Sequence, residues 1–288
     1  MELFNQLEWL NLAAMLRSAL QEDLGQGDVT TAATVAPGQP GRALIVVKEA
    51  PHIVFCGGVL MAEIFRLAGA APEMVALAPE GKILAEGARA AEIRGQLAGL
   101  LIAERTALNF AQLMSGIATL TRRYVDAVAG TGARIIDTRK THPGLRLIEK
   151  YAVRAGGGFN HRFGLDSGVL IKENHIAAAG SVRSALVGAR KLAPHTMRVE
   201  IECETLAQVE EALSAGADSI LLDNMTLDDV RRARALAPAG RVLLEVSGGV
   251  TLESVRAIAE TGVDLISVGA LTHSAPAVDL SMRIDRSA

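Results

Sequence analysis

Six short β-rich runs, at 134–137, 168–171, 198–202, 219–222, 241–246 and 264–268, alternate with amphipathic helical stretches through the second half of this chain. The helical patterning between them covers 181–193, 205–215, 226–237 and 251–261. Strand, helix, strand in repeated alternation is the signature of parallel βαβ units, and it leaves few architectures open. The spacing is steady: Glu202 to Asp223 is 21 residues and Ser247 to Gly269 is 22. No internal sequence repeat accompanies it, so the rhythm is that of a βα barrel of the TIM-like type. Half of the residues are hydrophobic and only 3% are aromatic, so the core must be built from Ala, Val, Leu and Ile. That is the habit of α/β proteins with buried parallel strands.

The first half reads differently. Residues 6–23 carry apolar positions at helical spacing, and Gly25 and Gly27 end that helix. The stretch DVTT at 28–31 reads as a turn with an Asp/Thr cap. A strand region spans 41–56, a helix follows Gly57-Gly58 to about residue 68, and short strand pieces fill 73–95. A long helical pattern covers 97–129, which Ser115-Gly116 is expected to split in two. This mixture predicts an α+β domain over 1–115, with residues 275–288 a candidate to complete it, ahead of a barrel domain over 116–274.

Net charge is −3, and so near-neutral a balance argues against a nucleic-acid partner. The two cysteines, Cys56 and Cys203, are far apart and lack metal spacing, which fits a reducing cytoplasm. The opening residues are acidic and amphipathic, without the basic start and apolar run of a signal peptide, and no window is long enough for a membrane span.

Positive charge is concentrated locally. Between Arg134 and Ile176 lie eight Lys/Arg residues, three of the six histidines and the Gly156–Gly158 triplet. Cations crowded beside glycines and strand ends predict a pocket for an anionic small molecule. The strand ends agree. The run at 134–137 ends in Thr138-Arg139-Lys140 and that at 168–171 in Lys172-Glu173-Asn174-His175. The next two end in Glu202 and in Asp223-Asn224, and the last two in Ser247-Gly248-Gly249 and Gly269-Ala270. In a βα barrel these C-terminal ends converge on the active-site mouth. The two small-residue loops suit a phosphate, since backbone N–H groups can approach it closely, although glycine is also common in plain βα turns. Glu202 and Asp223 could hold a divalent cation or sugar hydroxyls, or pair with Lys140 or Lys172. Glu200 is expected to point outside the barrel. Arg139, His161, Arg162 and Lys172 exceed the needs of one phosphate, and Arg forks bind carboxylates bidentately. A ligand with two carboxylates and a separate phosphate would use them all. His161 by itself reads as a structural histidine; beside Arg162 and after a glycine triplet it reads as part of a binding site. Arg105 by itself reads as one half of a surface or inter-helix ion pair.

The motifs DTRKTHPGLR at 137–146, KYAVRAGGGFNHR at 150–162 and LIKENHI at 170–176 closely resemble the quinolinate phosphoribosyltransferase family. So do GDVTT at 27–31, ERTALN at 104–109, SGIAT at 115–119, LLDN at 221–224 and GALTHS at 269–274, so the likeness covers almost the whole chain. The resemblance implies an N-terminal α/β sandwich and an incomplete barrel of about seven strands. It implies a homodimer, open to further assembly, whose active site is shared across the interface. Arg105 would cross that interface to the pyridine dicarboxylate, joining Thr138, Arg139, His161, Arg162 and Lys172. Lys140 would lie near the pyrophosphate and the reacting ring. Glu202 and Asp223 would bind ribose hydroxyls and Mg2+, and Ser247, Gly248, Gly249, Gly269 and Ala270 would hold the 5′-phosphate. Lys140, Glu202 and Asp223 are thereby the candidate catalytic residues. The implied reaction joins quinolinate and phosphoribosyl pyrophosphate, giving nicotinate mononucleotide, pyrophosphate and carbon dioxide in de novo NAD biosynthesis.

Two other readings of the same residues stand beside it. Lys172 at a strand end could be the amine of a Schiff-base aldolase, or the protein could bind a phosphorylated ligand without turnover. Arg146, Lys150 and Arg154 have no role in any of the three.

Overall fold

This computed structural model describes residues 6–237 and 240–285, with side chains from Leu10 on. The sequence reading of residues 1–5 and 286–288 lies outside the described residues. The chain divides into two compact units. The first gathers the chain up to Leu120, the segment Pro143–Gly157 and the chain from Ala275 on; the second holds Thr121–His142 and Gly158–Ser274.

In the first unit, α1 (Gln6–Leu24) and α2 (Val29–Thr34) precede β1 (Pro40–Val47), β2 (His52–Val54), α3 (Gly58–Leu67), β3 (Glu73–Leu77), β4 (Ile83–Ala85) and β5 (Arg89–Gln96). Asp28 is the N-cap of α2, accepting from the Thr30 and Thr31 backbone N–H groups at 3.0 Å, so the cap read from the sequence is real. The main sheet is antiparallel, and the chain's last strand joins it beside β1. Leu12, Leu16 and Leu20, four residues apart on α1, are buried, as are Leu60, Met61, Ile64 and Phe65 of α3. Of the apolar positions that the helical spacing picks out on α1, Leu16 and Leu20 lie on this stripe, whereas Leu10 and Ala14 are exposed.

The helix α4 (Leu97–Ala127) runs unbroken for 31 residues, so Ser115-Gly116 does not split it. Both residues serve close packing instead. Ser115 Oγ donates to the Cys56 carbonyl at 3.0 Å and accepts from the Cys56 N–H at 2.9 Å, satisfying both backbone groups of a buried residue between β2 and α3. A Cβ on Gly116 would fall 2.1 Å from the Pro276 carbonyl oxygen. Gly116→Ala must therefore push backbone against backbone, and the expected cost is about 3 kcal/mol or more. Urea unfolding followed by circular dichroism measures it; a midpoint equal to that of the unmodified protein would refute the packing argument.

The second unit contains β6 (Arg134–Ile136), and α5 (Arg146–Ala155) then returns to the first. Next come β7 (Val169–Ile171), α6 (Glu173–Ala179), α7 (Val182–Leu192), β8 (Val199–Cys203), α8 (Leu206–Ser214), β9 (Ser219–Asp223), α9 (Leu227–Leu236), β10 (Leu243–Ser247), α10 (Val255–Ala259), β11 (Leu265–Ser267) and α11 (Ala270–His273). The last strand, β12 (Leu280–Ile284), is the one that pairs with β1. The six strands of the second unit form one parallel sheet in the order β6-β11-β10-β9-β8-β7. The expected barrel of about seven strands is thus six strands and an opening. A single parallel bridge, Ile136 to Phe159, stands where a seventh strand would begin. The ladder stops there because the next N–H, of His161, turns to the Asp137 carboxylate at 2.8 Å. Among the described residues nothing pairs β6 back to β7.

No described helix is long and apolar enough to cross a membrane. The helix α5 also corrects the picture of one continuous cationic stretch. Arg146, Lys150 and Arg154 belong to the first unit, with Lys150 buried and Arg154 stacked 5.8 Å from the Tyr151 ring centre. Their type and position in sequence match the pocket cations, but their helix belongs to the first unit.

Candidate active site

The C-terminal ends of β6 to β11 are built from the residues the sequence singles out. Ser247 on β10 lies in register with Asp223 on β9, so the phosphate-type loop and the acid are neighbours. Asn224 donates to Asp223 Oδ2 at 2.9 Å and adopts a left-handed backbone, φ +52°. Gly248, at φ +96°, passes so close that a Cβ there would lie 2.1 Å from Asn224 Oδ1. Glycine is thus required by both conformation and space, which a plain turn would not ask for.

Lys140 reaches the other loop. A Cβ on Gly269 would lie 3.1 Å from Lys140 Cδ, so the lysine stem runs over that glycine. The Lys140 N–H donates to Thr138 Oγ1 at 3.0 Å, and its carbonyl accepts from Thr272 Oγ1 at 2.7 Å. Both backbone groups are tied down while the side chain is exposed. Lys172 lies against Glu202, Nζ to Oε2 at 3.0 Å, which is the bland pairing the sequence allowed. The Lys172 N–H also donates to His175 Nδ1 at 2.9 Å, fixing the strand end to α6.

Glu200 corrects an expectation. Residues 200 and 202 are two apart on β8, and alternation puts both side chains on one face, not on opposite sides. Glu200 accordingly lies with His161, whose Nε2 is 3.1 Å from Oε2, and takes the Ser219 hydroxyl at 2.8 Å on Oε1. Glu245 on β10 approaches the same His161 nitrogen at 3.9 Å. The sequence reading missed Glu245 and Ser219 altogether. Strand parity could have found them, because Glu245 shares its face with Ser247, and Ser219 with Asp223.

His161 and Arg162 line a cavity of about 510 Å³ with Arg134, Arg198, Glu200 and Glu245, drawn from the N-terminal parts of the strands. Arg162 donates to the Gly168 carbonyl at 2.9 Å, while its buried Nε meets no partner. Burial and the neighbouring charge of Arg139 lower its basicity, against the pull of Glu200. Two like charges facing each other in part-buried space favour an anion. Arg105 lies on an exposed position of α4, in the first unit.

His161, Glu200 and Glu245 form the one triad with metal-ligand spacing among the described residues, their ligand atoms lying within 4.8 Å of one another. Yet His161 Nδ1 accepts the Arg162 N–H at 2.6 Å, so the proton of the neutral ring is on Nε2. That nitrogen is a donor and cannot ligate. Glu202 and Asp223, at adjacent strand ends, offer oxygen atoms only, as Mg2+ prefers.

Fold and site together define an α/β enzyme of small anionic metabolites, with a phosphate-type loop pair, two strand-end acids and a part-buried arginine couple. Residues 28–115 match the family model of the quinolinate phosphoribosyl transferase N-terminal domain, and residues 117–283 that of its C-terminal domain. A probable nicotinate-nucleotide pyrophosphorylase (carboxylating) of Bacillus subtilis is 45% identical over 96% of this chain and 94% of its own. A quinolinate phosphoribosyltransferase (decarboxylating) of Nicotiana tabacum is 40% identical over 96% of this chain and 83% of its own. The solved nicotinate-nucleotide pyrophosphorylase of Francisella tularensis superposes with a TM-score of 0.90 at 39% identity, covering 96% of each chain. The chain belongs to the quinolinate phosphoribosyl transferase family.

Proposed function

We propose that this chain joins quinolinate to phosphoribosyl pyrophosphate and releases pyrophosphate and carbon dioxide, leaving nicotinate mononucleotide. The relatives' activity supports the reaction. The observation that carries the site assignment is the Arg162–Arg139 couple, with a buried guanidinium nitrogen lacking a partner. A dicarboxylate relieves both the repulsion and the missing hydrogen bond.

In this reading Arg139, Arg162 and Lys172 hold the two carboxylates, with Thr138 and His161 lining the pocket and Arg105 arriving from a second copy of the chain. Ser247, Gly248, Gly249, Gly269 and Ala270 take the 5′-phosphate on backbone N–H groups. Glu202 and Asp223 hold ribose hydroxyls, and their oxygens fit Mg2+, which would offset pyrophosphate charge. When substrate binds, Glu202 exchanges its Lys172 partner for the ribose, freeing that ammonium for a carboxylate. Lys140 stabilises charge on the departing oxygen. The pyridine nitrogen forms its bond to the ribosyl carbon as the carbon–oxygen bond to pyrophosphate breaks. The alkylated ring then draws the electron pair of the adjacent carbon–carboxylate bond, carbon dioxide leaves, and the ring carbon takes a proton from water.

The Schiff-base reading is disfavoured by the Lys172–Glu202 ion pair, which engages the ammonium form. Release of carbon dioxide from carboxyl-labelled quinolinate tests the proposal. Release is expected only with phosphoribosyl pyrophosphate and Mg2+ both present; folded protein that releases none refutes it.

A further inference from the structure

Three buried or part-buried carboxylates gather at His161, one on its backbone N–H and two at its imidazole. Asp137, fully buried, accepts the His161 N–H at 2.8 Å and the Asn160 side-chain amide at 2.6 Å. Glu200 accepts from Ser219 and faces His161 Nε2 at 3.1 Å. Glu245 is 1% exposed, faces the same nitrogen at 3.9 Å, and its Oε1 has no hydrogen-bond partner. His161 Nε2 has one hydrogen to give, and Glu200 is the nearer acceptor. Two ionised carboxylates facing each other around one donor would leave a buried charge uncompensated. A proton on Glu245, donated to Glu200, removes that charge and accounts for an oxygen that otherwise meets nothing.

We propose that Glu245 carries a proton that it donates to Glu200, and that the pair acts through the His161 imidazole as positioning residues for Arg162. The chain of contacts is continuous. Glu245 donates to Glu200, Glu200 accepts from His161 Nε2, and His161 Nδ1 accepts the Arg162 N–H. Both ring nitrogens are thereby committed within the protein, so His161 acts as a neutral strut and not as a cation toward the ligand. The remaining charges facing Glu245 agree on where the proton belongs. Burial, then the Glu200 charge, and also Asp137, push the Glu245 carboxyl well up. Arg134, Arg162 and Arg198 line the same cavity and favour one negative charge there.

The inference rests on the reading of Arg162 as a ligand of the dicarboxylate, and the experiment separates the two. Imidazole 15N spectra of the full-length protein, with the His161 signals assigned by their loss in His161→Gln, report the tautomer directly. The Nδ1 acceptor contact predicts the Nε2–H tautomer. Glu245→Gln keeps a neutral donor, so the tautomer persists and quinolinate KM stays within about threefold, whereas Glu245→Leu raises it by about tenfold or more with phosphoribosyl pyrophosphate KM unmoved. An imidazolium pattern in the unmodified protein overturns the proposal. So does a Glu245→Gln loss as large as that of Glu245→Leu, or above about tenfold should the leucine variant not fold. A metal at the triad would show instead as loss of the Nε2–H signal on adding Zn2+, and that also overturns it. If Arg162→Met leaves quinolinate KM unchanged, the site reading has failed, and the tautomer in Glu245→Leu alone decides the relay: an unchanged spectrum there ends it.

Discussion

Lys140→Ala is expected to lower kcat by about a thousandfold while substrate binding changes little, because a charge aimed at a departing oxygen acts mainly in the transition state. The structure gives the reason for singling out this lysine. Lys172 is paired with Glu202, whereas Lys140 takes part in no ion pair among the described residues and extends over Gly269. Its backbone is fixed on both sides by Thr138 and Thr272, so its ammonium is aimed without a partner to neutralise it. Single-turnover kinetics separate the chemical step from binding. The same variant tests the shared site. Arg105→Ala is expected to be equally inactive, since Arg105 would serve the neighbouring copy. In a two-fold dimer, equal mixing and exchange gives mixed pairs with one intact site each, restoring about a quarter of the unmodified activity. Subunit exchange shown by mass spectrometry, with no recovery of turnover, would rule out a site built from two chains.

Arg162→Met is expected to reduce kcat/KM for quinolinate by about a hundredfold to a thousandfold, the cost of a desolvated, charge-assisted carboxylate contact. The unliganded protein should barely notice. Arg162→Met takes a like charge away from Arg139 and removes an unpartnered Nε, while losing one hydrogen bond to the Gly168 carbonyl, so unfolding free energy is expected to fall by about 1 kcal/mol. The guanidinium is held below its usual basicity by burial and by Arg139, against the pull of Glu200, and its Nε meets no partner, so a bound carboxylate is expected to stabilise the fold. Quinolinate should then raise the melting temperature of the unmodified protein and not of the variant. A loss of stability matching the loss of binding would make Arg162 a structural residue and leave the dicarboxylate without its main anchor.

Much of the second unit could be read directly. Its strands alternate with helices at a fixed interval because each βα unit must cover one more width of a parallel sheet, and that constraint is local enough to appear as periodicity. The strand-end residues were legible for the same reason: topology places every C-terminal end on one edge of the sheet. Helix α4 was misread because Ser-Gly looks like a break in sequence. In the fold it is the place where another backbone, at Pro276, comes too close for any side chain. Glu200 was misplaced by a slip of parity that Glu202, its neighbour on the same face, could have prevented.

The sequence by itself determined the family, through long motifs spread over nearly the whole chain, and the chemical type of each residue at the sheet's edge. Tertiary structure decided which charges belong together. Of the cations between 134 and 176, it left Arg139, Lys140, Arg162 and Lys172 in the second unit, beside the strands of the parallel sheet, and carried Arg146, Lys150 and Arg154 into the first unit on α5. It also brought Glu200 and Glu245, 45 residues apart, against one face of His161. Spacing along a chain reports which strand or helix a residue rides on; which charges meet, and which proton they must share, depends on distance and burial, and those exist only once the strands have been laid side by side.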